Sequence, residues 1–359
     1  MKVLVAWADD RSTNLGVRAL AKGAGDLVKK AWPDASVDYQ SFGVGAGPVP
    51  ISDRALATER MPRRNQLHDW IKAYDLVLDM RAGDSFTDIY GVRRLISMNE
   101  FSGIARRAGV PVVLGPQTIG PFGSPLGRAL GARALRGASA VIARDSVSAR
   151  YSSDLDRSVD VVSTDVVFGI EKPTVSKTVD IALNVSGLLW SPNSHVNAGR
   201  YRASMIDLCR ELTNRGRDVT LFAHVLDSND PDNDVPVLAA IEQIEDLDVT
   251  RFVPSDLGDV RRFVASANLV IGARMHACLN ALSAGTPAIP LAYSRKFAPL
   301  LEDLNWNWTL SIEDEGDSLS TKTLKVMDQI ESEGDLTALE ARALEKLEFA
   351  ASALERVIG

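Results

Sequence analysis

Residues 271–297 read IGARMHACLNALSAGTPAIPLAYSRKF, and the order of residue types in this stretch decides the fold class. Residues 269–272 form a short apolar run that predicts a buried strand. Arg274 and His276 follow in the turn, and residues 278–284, rich in small apolar side chains, predict a helix. A second apolar run over 288–292 comes after the Gly285-Thr286-Pro287 turn and leads to Tyr293 and Lys296. Strand, helix and strand in succession is the repeating unit of a parallel sheet, and ligands of such sheets gather beyond the C-terminal strand ends. Arg274, His276 and Lys296 can therefore reach one edge. They bring a fixed charge, a group that moves a proton near neutral pH and a mobile ammonium, a set that suits an anionic substrate.

The same alternation runs outward through the chain. Apolar runs at 3–8, 37–42, 76–80, 112–115 and 140–143 predict strands, and amphipathic stretches at 15–32, about 64–73, 92–108 and 126–136 predict helices between them. Residues 169–178 (GIEKPTVSKT) lack periodicity and carry Pro173, which marks a linker. Beyond it come strands at 180–184, 219–223, 249–252, 269–272 and 288–292, with helices at about 202–215, 235–244 and 259–265. The expectation is an α/β protein of two Rossmann-like domains with parallel sheets facing a cleft, as in GT-B enzymes. Their predicted bounds are 1–168 and 179–315. Leu336, Leu339, Ala343, Leu347, Ala350, Leu354 and Ile358 recur at intervals of three and four, so the remainder, 316–359, is expected to be helical.

A chain of 359 residues with 45% hydrophobic and 24% charged residues is an ordinary soluble composition. Its formal net charge of −7 argues against wholesale nucleic-acid binding, which needs a basic surface. Cys209 and Cys278 give no disulfide framework and fit a reducing compartment. The opening MKVLVAWADD reads as a first strand rather than a signal peptide, and no segment has the ~20 apolar residues that span a bilayer.

His276 heads a helix whose small residues, Ala277, Ala281, Ala284 and Gly285, allow close packing on a sheet and leave room for an anion at its N-terminus. Met275 lies between it and Arg274. Arg144 and Asp145 close the last clear strand of the first domain. Asp145 is placed to cap the helix carrying Ser148, and Arg144 to bind an anion. The turn MRAGDSFTDIYG offers Arg81, Asp84, Ser85, Asp88 and Tyr90 as partners for sugar hydroxyls, although turn chemistry alone also favours Asp and Gly there. Gln117 in GPQTIGPFG and Asn14 in WADDRSTNLG are further acceptor-side candidates, and Trp190 and His195 could stack on a sugar. The loop HVLDSNDPDND, residues 224–234, lacks the ligand ladder of a calcium site and reads as a polar loop ending in a helix cap.

Taken together, Arg274, His276, Gly285, Pro287, Tyr293 and Lys296 resemble the central pattern of the polysaccharide pyruvyl transferase family. Arg144-Asp145 with Ser148, GPQTIGPFG, Asn14-x-Gly16 and HVLDSNDPDND extend the resemblance over most of residues 1–304. It implies phosphoenolpyruvate as co-substrate, with no metal or other cofactor. The implied acceptor is a saccharide, often lipid-linked, at the inner face of the cytoplasmic membrane. It also implies roles for Arg144, His276 and Lys296 in donor binding and catalysis; from their places at strand ends, Arg274 and Met275 are expected at the donor as well, and Asp84, Asp88, Asn14 and Gln117 at the acceptor. The chain departs from the pattern at Val17, where the family commonly has Asp, and at residues 81–84, where it often has a glycine-rich turn. Two rival readings share the expected architecture: a nucleotide-sugar glycosyltransferase and a noncatalytic glycan-binding protein.

Overall fold

Alternation of apolar runs with amphipathic helices produces two six-stranded parallel sheets in the computed structural model, which describes all residues except 60–64, 295 and 314–315. Two units divide the chain. The first holds Met1–Arg11, Leu20–Gly169 and Arg342–Gly359, and the second Ser12–Ala19 and Ile170–Ala341.

In the first unit the strands are β1 (Lys2–Ala6), β2 (Ser36–Gln40), β3 (Leu76–Asp79), β4 (Val112–Gln117), β5 (Ala140–Ala143) and β6 (Val161–Val162), in the order β2-β1-β3-β4-β5-β6. Successive side chains point to opposite faces. Val3, Val5, Leu76, Leu78, Val113 and Ile142 accordingly enter one core. Leu4, Ala6, Val77 and Val112 enter a second, and Leu114, Val141 and Ala143 a third. β3, β4 and β5 are buried at every residue, as a sheet covered on both faces requires. The C-terminal helix Thr337–Ile358 supplies Ala350, Ala351, Ala353 and Leu354 to the first of these cores.

The second unit has β7 (Val179–Asn184), β8 (Val219–Phe222), β9 (Val249–Phe252), β10 (Ala267–Gly272), β11 (Ala288–Ala292) and β12 (Leu310–Ser311), in the order β12-β11-β10-β7-β8-β9. Leu319–Glu333 is a helix of this unit, joined to helix Ala198–Asn214 through a Ser320 to Asp207 hydrogen bond. No helix among the described residues is long and apolar enough to cross a membrane.

The two Rossmann-like α/β units match the expected class. Their bounds depart from the expected ones at two places. Ser12–Ala19 joins the second unit, because Asn14 pairs antiparallel with Val225, Leu226 N donates to Thr13 O at 2.8 Å and Leu15 N donates to His224 O at 3.0 Å. The segment 316–359 does not stand apart: it serves the second unit up to Ala341 and the first from Arg342. The expected boundary at residue 315 and the expected helix start at Arg64 lie outside the described residues. Strands β6 and β12 have only two residues each, too few for an apolar run to register.

Candidate active site

The second unit's site grows from the ends of β7, β8 and β10, which are neighbours in the sheet. Asn184, the last residue of β7, joins all three tips: its Nδ2 donates to Phe222 O at 3.0 Å and its Oδ1 accepts from Arg274 N at 3.0 Å. The helix Met275–Ser283 then starts with Arg274 as its N-cap, so His276 occupies the first helical turn rather than the preceding loop. Helical bonding sets in early, with Ala277 N donating to Arg274 O at 3.0 Å.

Arg274 does not offer an open guanidinium, contrary to the expected donor contact. Its Nη2 donates to Asp234 Oδ1 at 2.7 Å and to Asp232 O at 2.6 Å, Nη1 donates to Asp232 Oδ1 at 2.6 Å, and Nε reaches Asp234 Oδ1 at 3.2 Å. Burial opposes its charge, but the carboxylates of Asp234 and Asp232 outweigh that, holding its pKa above the ordinary arginine value.

Asp234 is wholly buried and organises the surroundings. Besides Arg274, it accepts from Gly187 N at 2.8 Å and from His224 N and Val225 N at 2.9 Å each. It stands at the N-cap of helix Val235–Glu242 yet makes no side-chain cap bond, so the expected helix cap is a hub instead. The acid-rich loop 224–234 carried that signal, but nothing in its spacing distinguished Asp234 from the other aspartates of the loop. Among the described residues no group of three or more His, Cys, Asp or Glu could hold a metal.

His276 is half-buried, and its imidazole abuts Gly16: a Cβ there would lie 3.0 Å from His276 Cγ and Nδ1. Asn14 holds that segment by accepting Gly16 N at 2.9 Å through Oδ1. Asn14, expected on the acceptor side of the first domain, thus sits in the unit of His276 and holds Gly16 beside it. His224 was legible only as part of a polar loop. In the structure it is buried, and its Nε2 lies 3.0 Å from Asn280 Nδ2. Arg261 Nη1 donates to Asn280 Oδ1 at 3.0 Å, and because arginine cannot accept, this orients the amide and leaves Asn280 Nδ2 as donor to His224. His224 Nε2 is therefore an unprotonated acceptor. Burial first, then the charges of His276 and Arg274, pushes its pKa well below 6.5.

A pH dependence follows. The unfolded chain protonates this imidazole near pH ~6.5 while the fold does not, so the stability it contributes is present above that pH and declines on acidification. Each pH unit below ~6.5 should cost about 1.4 kcal/mol from this group while the folded ring stays neutral. Urea unfolding of wild type and His224→Gln at neutral and mildly acidic pH checks it. Equal pH slopes in the two proteins would contradict the neutral buried imidazole.

Lys296 is half-buried at the N-cap of helix Phe297–Glu302 in the same unit, and Met275 is the first helical residue beside His276. Tyr293 packs edge-on to His195 at 5.3 Å and to Phe297 at 5.6 Å. Arg295 of the quoted stretch lies outside the described residues.

In the first unit, Arg144 is buried at the end of β5, with Nη1 3.2 Å from Asp165 Oδ2 and Nε 3.9 Å from Asp145 Oδ2. Asp145 caps helix Ser146–Ser153 by accepting Ser148 N at 2.6 Å. Ser148 Oγ in turn accepts Ile119 N at 3.0 Å, tying the GPQTIGPFG loop to the strand end. A Cβ at Gly83 would lie 3.9 Å from Arg144 Nη1, so the turn after β3 borders this arginine. In that turn Asp84 Oδ2 accepts Tyr90 Oη at 3.0 Å. Arg81 is buried, with its Nε on Asp79 at 3.1 Å and Nη1 on Asn99 at 2.7 Å, which makes it a structural ion pair. Gln117 is buried too. Its Nε2 donates to Asp79 O at 3.3 Å, and its Oε1 has no hydrogen-bond partner among the described residues.

Asp88 departs from the expected acceptor contact. Its oxygens accept Gly123 N at 2.8 Å and both Ser124 N and Ser124 Oγ at 2.7 Å, so it clamps the loop leading into helix Pro125–Gly137. Burial raises its pKa, but these hydrogen bonds prevail and hold it below the ordinary aspartate value, which makes it a poor proton acceptor.

Comparison with known proteins bears on these two units. A family profile described as "Polysaccharide pyruvyl transferase" matches residues 14–295. The amylovoran biosynthesis protein AmsJ of Erwinia amylovora is 23% identical over 262 residues, a match that covers 67% of this chain and 61% of that protein. Among solved structures, a putative UDP-N-acetylglucosamine 2-epimerase from Listeria monocytogenes aligns with a TM-score of 0.60 at 12% identity, covering 98% of this chain and 94% of that one. Anabaena Alr3699/HepE in complex with UDP-glucose aligns at 0.55 and 14% identity, covering 100% and 98%. At such identities these structures speak for the fold alone. The family profile spans most of the chain, from Asn14 beside His276 to the strand end beyond β11, and the chain belongs to the polysaccharide pyruvyl transferase family.

Proposed function

We propose that this protein transfers the pyruvyl group of phosphoenolpyruvate to two hydroxyls of one saccharide residue, forming a pyruvate ketal. The observation that carries the reading, beside family membership, is the setting of His276. It is a half-buried imidazole on the first turn of a helix, walled by Gly16, on a backbone that Arg274, Asp234 and Asn184 lock in place. Preorganisation of that kind serves a group that must deliver a proton to a defined carbon.

In the proposed reaction His276 gives a proton to the methylene carbon of the enol ester. One hydroxyl oxygen bonds to the central carbon and its proton restores the acid. The bond from that carbon to the phosphate oxygen then breaks, the second hydroxyl adds, and its proton leaves with inorganic phosphate. Lys296, in the same unit, is assigned to the donor's negative charge together with the helix dipole at Met275. Arg144 keeps the donor role implied by the resemblance. Arg274 is reassigned from ligand to positioning residue, since its donors are directed to Asp232 and Asp234. Asp84, rather than Asp88, is the carboxylate retained for the acceptor.

The test incubates the protein with phosphoenolpyruvate and a panel of saccharide acceptors, with UDP-glucose as control donor. Expected are phosphate release and a product heavier than the acceptor by pyruvic acid less water. Sugar transfer from UDP-glucose without any reaction of phosphoenolpyruvate would overturn the reading in favour of a glycosyltransferase.

A further inference from the structure

A cavity of about 210 Å3 lies beyond the C-terminal ends of β1 and β2 in the first unit, and none of the residues assigned above lines it. Asp9, Asp10 and Arg11 follow β1, Tyr39 and Ser41 come from the end of β2, and Ala46 closes it from the next loop, held by its N–H donating to Tyr39 O at 3.0 Å. The cavity lies at the C-terminal edge of the parallel sheet, where ligands of such sheets gather, on the β2 side of β1 rather than in the β1/β3 crevice where strand order reverses. The volume is below the about 300–1,000 Å3 typical of drug-sized ligands, so the space takes one ring rather than an oligosaccharide.

The lining chemistry narrows the ligand. Two carboxylates, Asp9 and Asp10, line it beside a single guanidinium, Arg11: Asp10 Oδ1 lies 3.8 Å from Arg11 Nε, and Asp9 Oδ1 accepts Arg11 N at 2.8 Å. Asp38, also in the wall, is already engaged by Lys2 at 3.2 Å and by the Tyr74 hydroxyl at 2.7 Å. Negative charge therefore exceeds positive in the lining. A dianionic enol phosphate or an acidic sugar meets like charge here, which disfavours binding. A neutral polyol meets carboxylate acceptors and the polar residue Ser41, with Tyr39 in the wall. Burial, then the charges of Asp26 and Asp10, pushes Tyr39 up to about 12, so the phenol keeps its proton and adds no negative charge to the wall. Its hydroxyl fits against Gly25 on helix Leu15–Ala31, in space that a Cβ would occupy.

We propose that this cavity receives one uncharged pyranose ring of the saccharide acceptor and that its carboxylates exclude uronic acids and sugar phosphates. The inference rests on the reading above that the acceptor is a saccharide, but its test needs no transfer. Saturation-transfer NMR on the full chain, without phosphoenolpyruvate, uses the methyl glycosides of glucose, mannose and galactose as neutral probes and methyl glucuronide as the acidic one. At least one neutral glycoside should bind, and the glucuronide should not. Ala46→Trp, an exposed loop substitution that fills the space, should abolish the signal. Asp10→Asn, also exposed, should weaken binding about tenfold, as loss of a hydrogen bond to a charged group does. Neutral glycosides binding Ala46→Trp as they bind wild type would overturn the proposal, as would glucuronide binding equally well or no neutral probe binding at all. Failure of these arms leaves ketal formation to be judged by phosphate release, so the two readings fail separately.

Discussion

Replacing His276 with alanine is expected to lower the rate of phosphate release from phosphoenolpyruvate by about 10²–10⁴-fold, the usual contribution of a positioned general acid or base. Unfolding should change little, because the ring is half-buried and packs on Gly16 rather than in the core. His276→Gln gives a second variant of similar volume. It can hydrogen-bond but cannot carry the proton, so it should be as slow as alanine if proton transfer is what the imidazole supplies. Steady-state phosphate release and thermal unfolding of both variants decide it. If either variant turns over within a fewfold of wild type, the assignment of His276 is wrong; if both unfold, the loss of rate says nothing of chemistry. A lost rate with an unchanged apparent donor KM would further place the effect in the chemical step.

Asp234→Ala is expected to produce the largest loss of stability of any single substitution in the second unit. The carboxylate is wholly buried and pairs with a buried arginine, and breaking such a pair costs about 3–5 kcal/mol because the buried charge is left short of partners, here with Asp232 alone. Three backbone donors, on Gly187, His224 and Val225, lose their acceptor in the same step. The effect belongs to the pair, so Asp234→Ala with Arg274→Ala together should destabilise by clearly less than the sum of the two single changes. Denaturant unfolding of the four proteins closes that cycle. A single-variant loss under about 1 kcal/mol would show that water or another group replaces the carboxylate, and strict additivity would show that the two residues do not act as a pair.

These two residues mark how far the sequence could be read. His276 was legible because its signals are local: an apolar strand, a turn with Arg274, then small residues with helical spacing. Asp234 was not. It lies among Asp227, Asp230 and Asp232, and composition gives each of them the same reading of a solvated loop. Only the fold brings two of them, Asp232 and Asp234, to Arg274 and buries Asp234 under the tips of β7, β8 and β10. Arg274 suffered the converse error. An arginine beside a histidine at a strand end suits an anion, but the side chain turns to buried Asp234 and half-buried Asp232.

Asp88 and Asn14 repeat the lesson at smaller scale. Asp88 satisfies two backbone N–H groups and a hydroxyl of the 123–124 loop, which is the turn chemistry its neighbours suggested. Asn14 lies within eight residues of the end of β1, so chain order assigns it to the first unit. The antiparallel bridge to Val225 places it in the second, where it holds Gly16 beside His276.

The sequence by itself determined what depends on period and neighbours: ten of the strands, most of the helices between them and the family motif around His276. Tertiary structure alone decided which charges remain available to a ligand. Burial makes an unpaired charge costly, and the partners that remove that cost are chosen by distance in space.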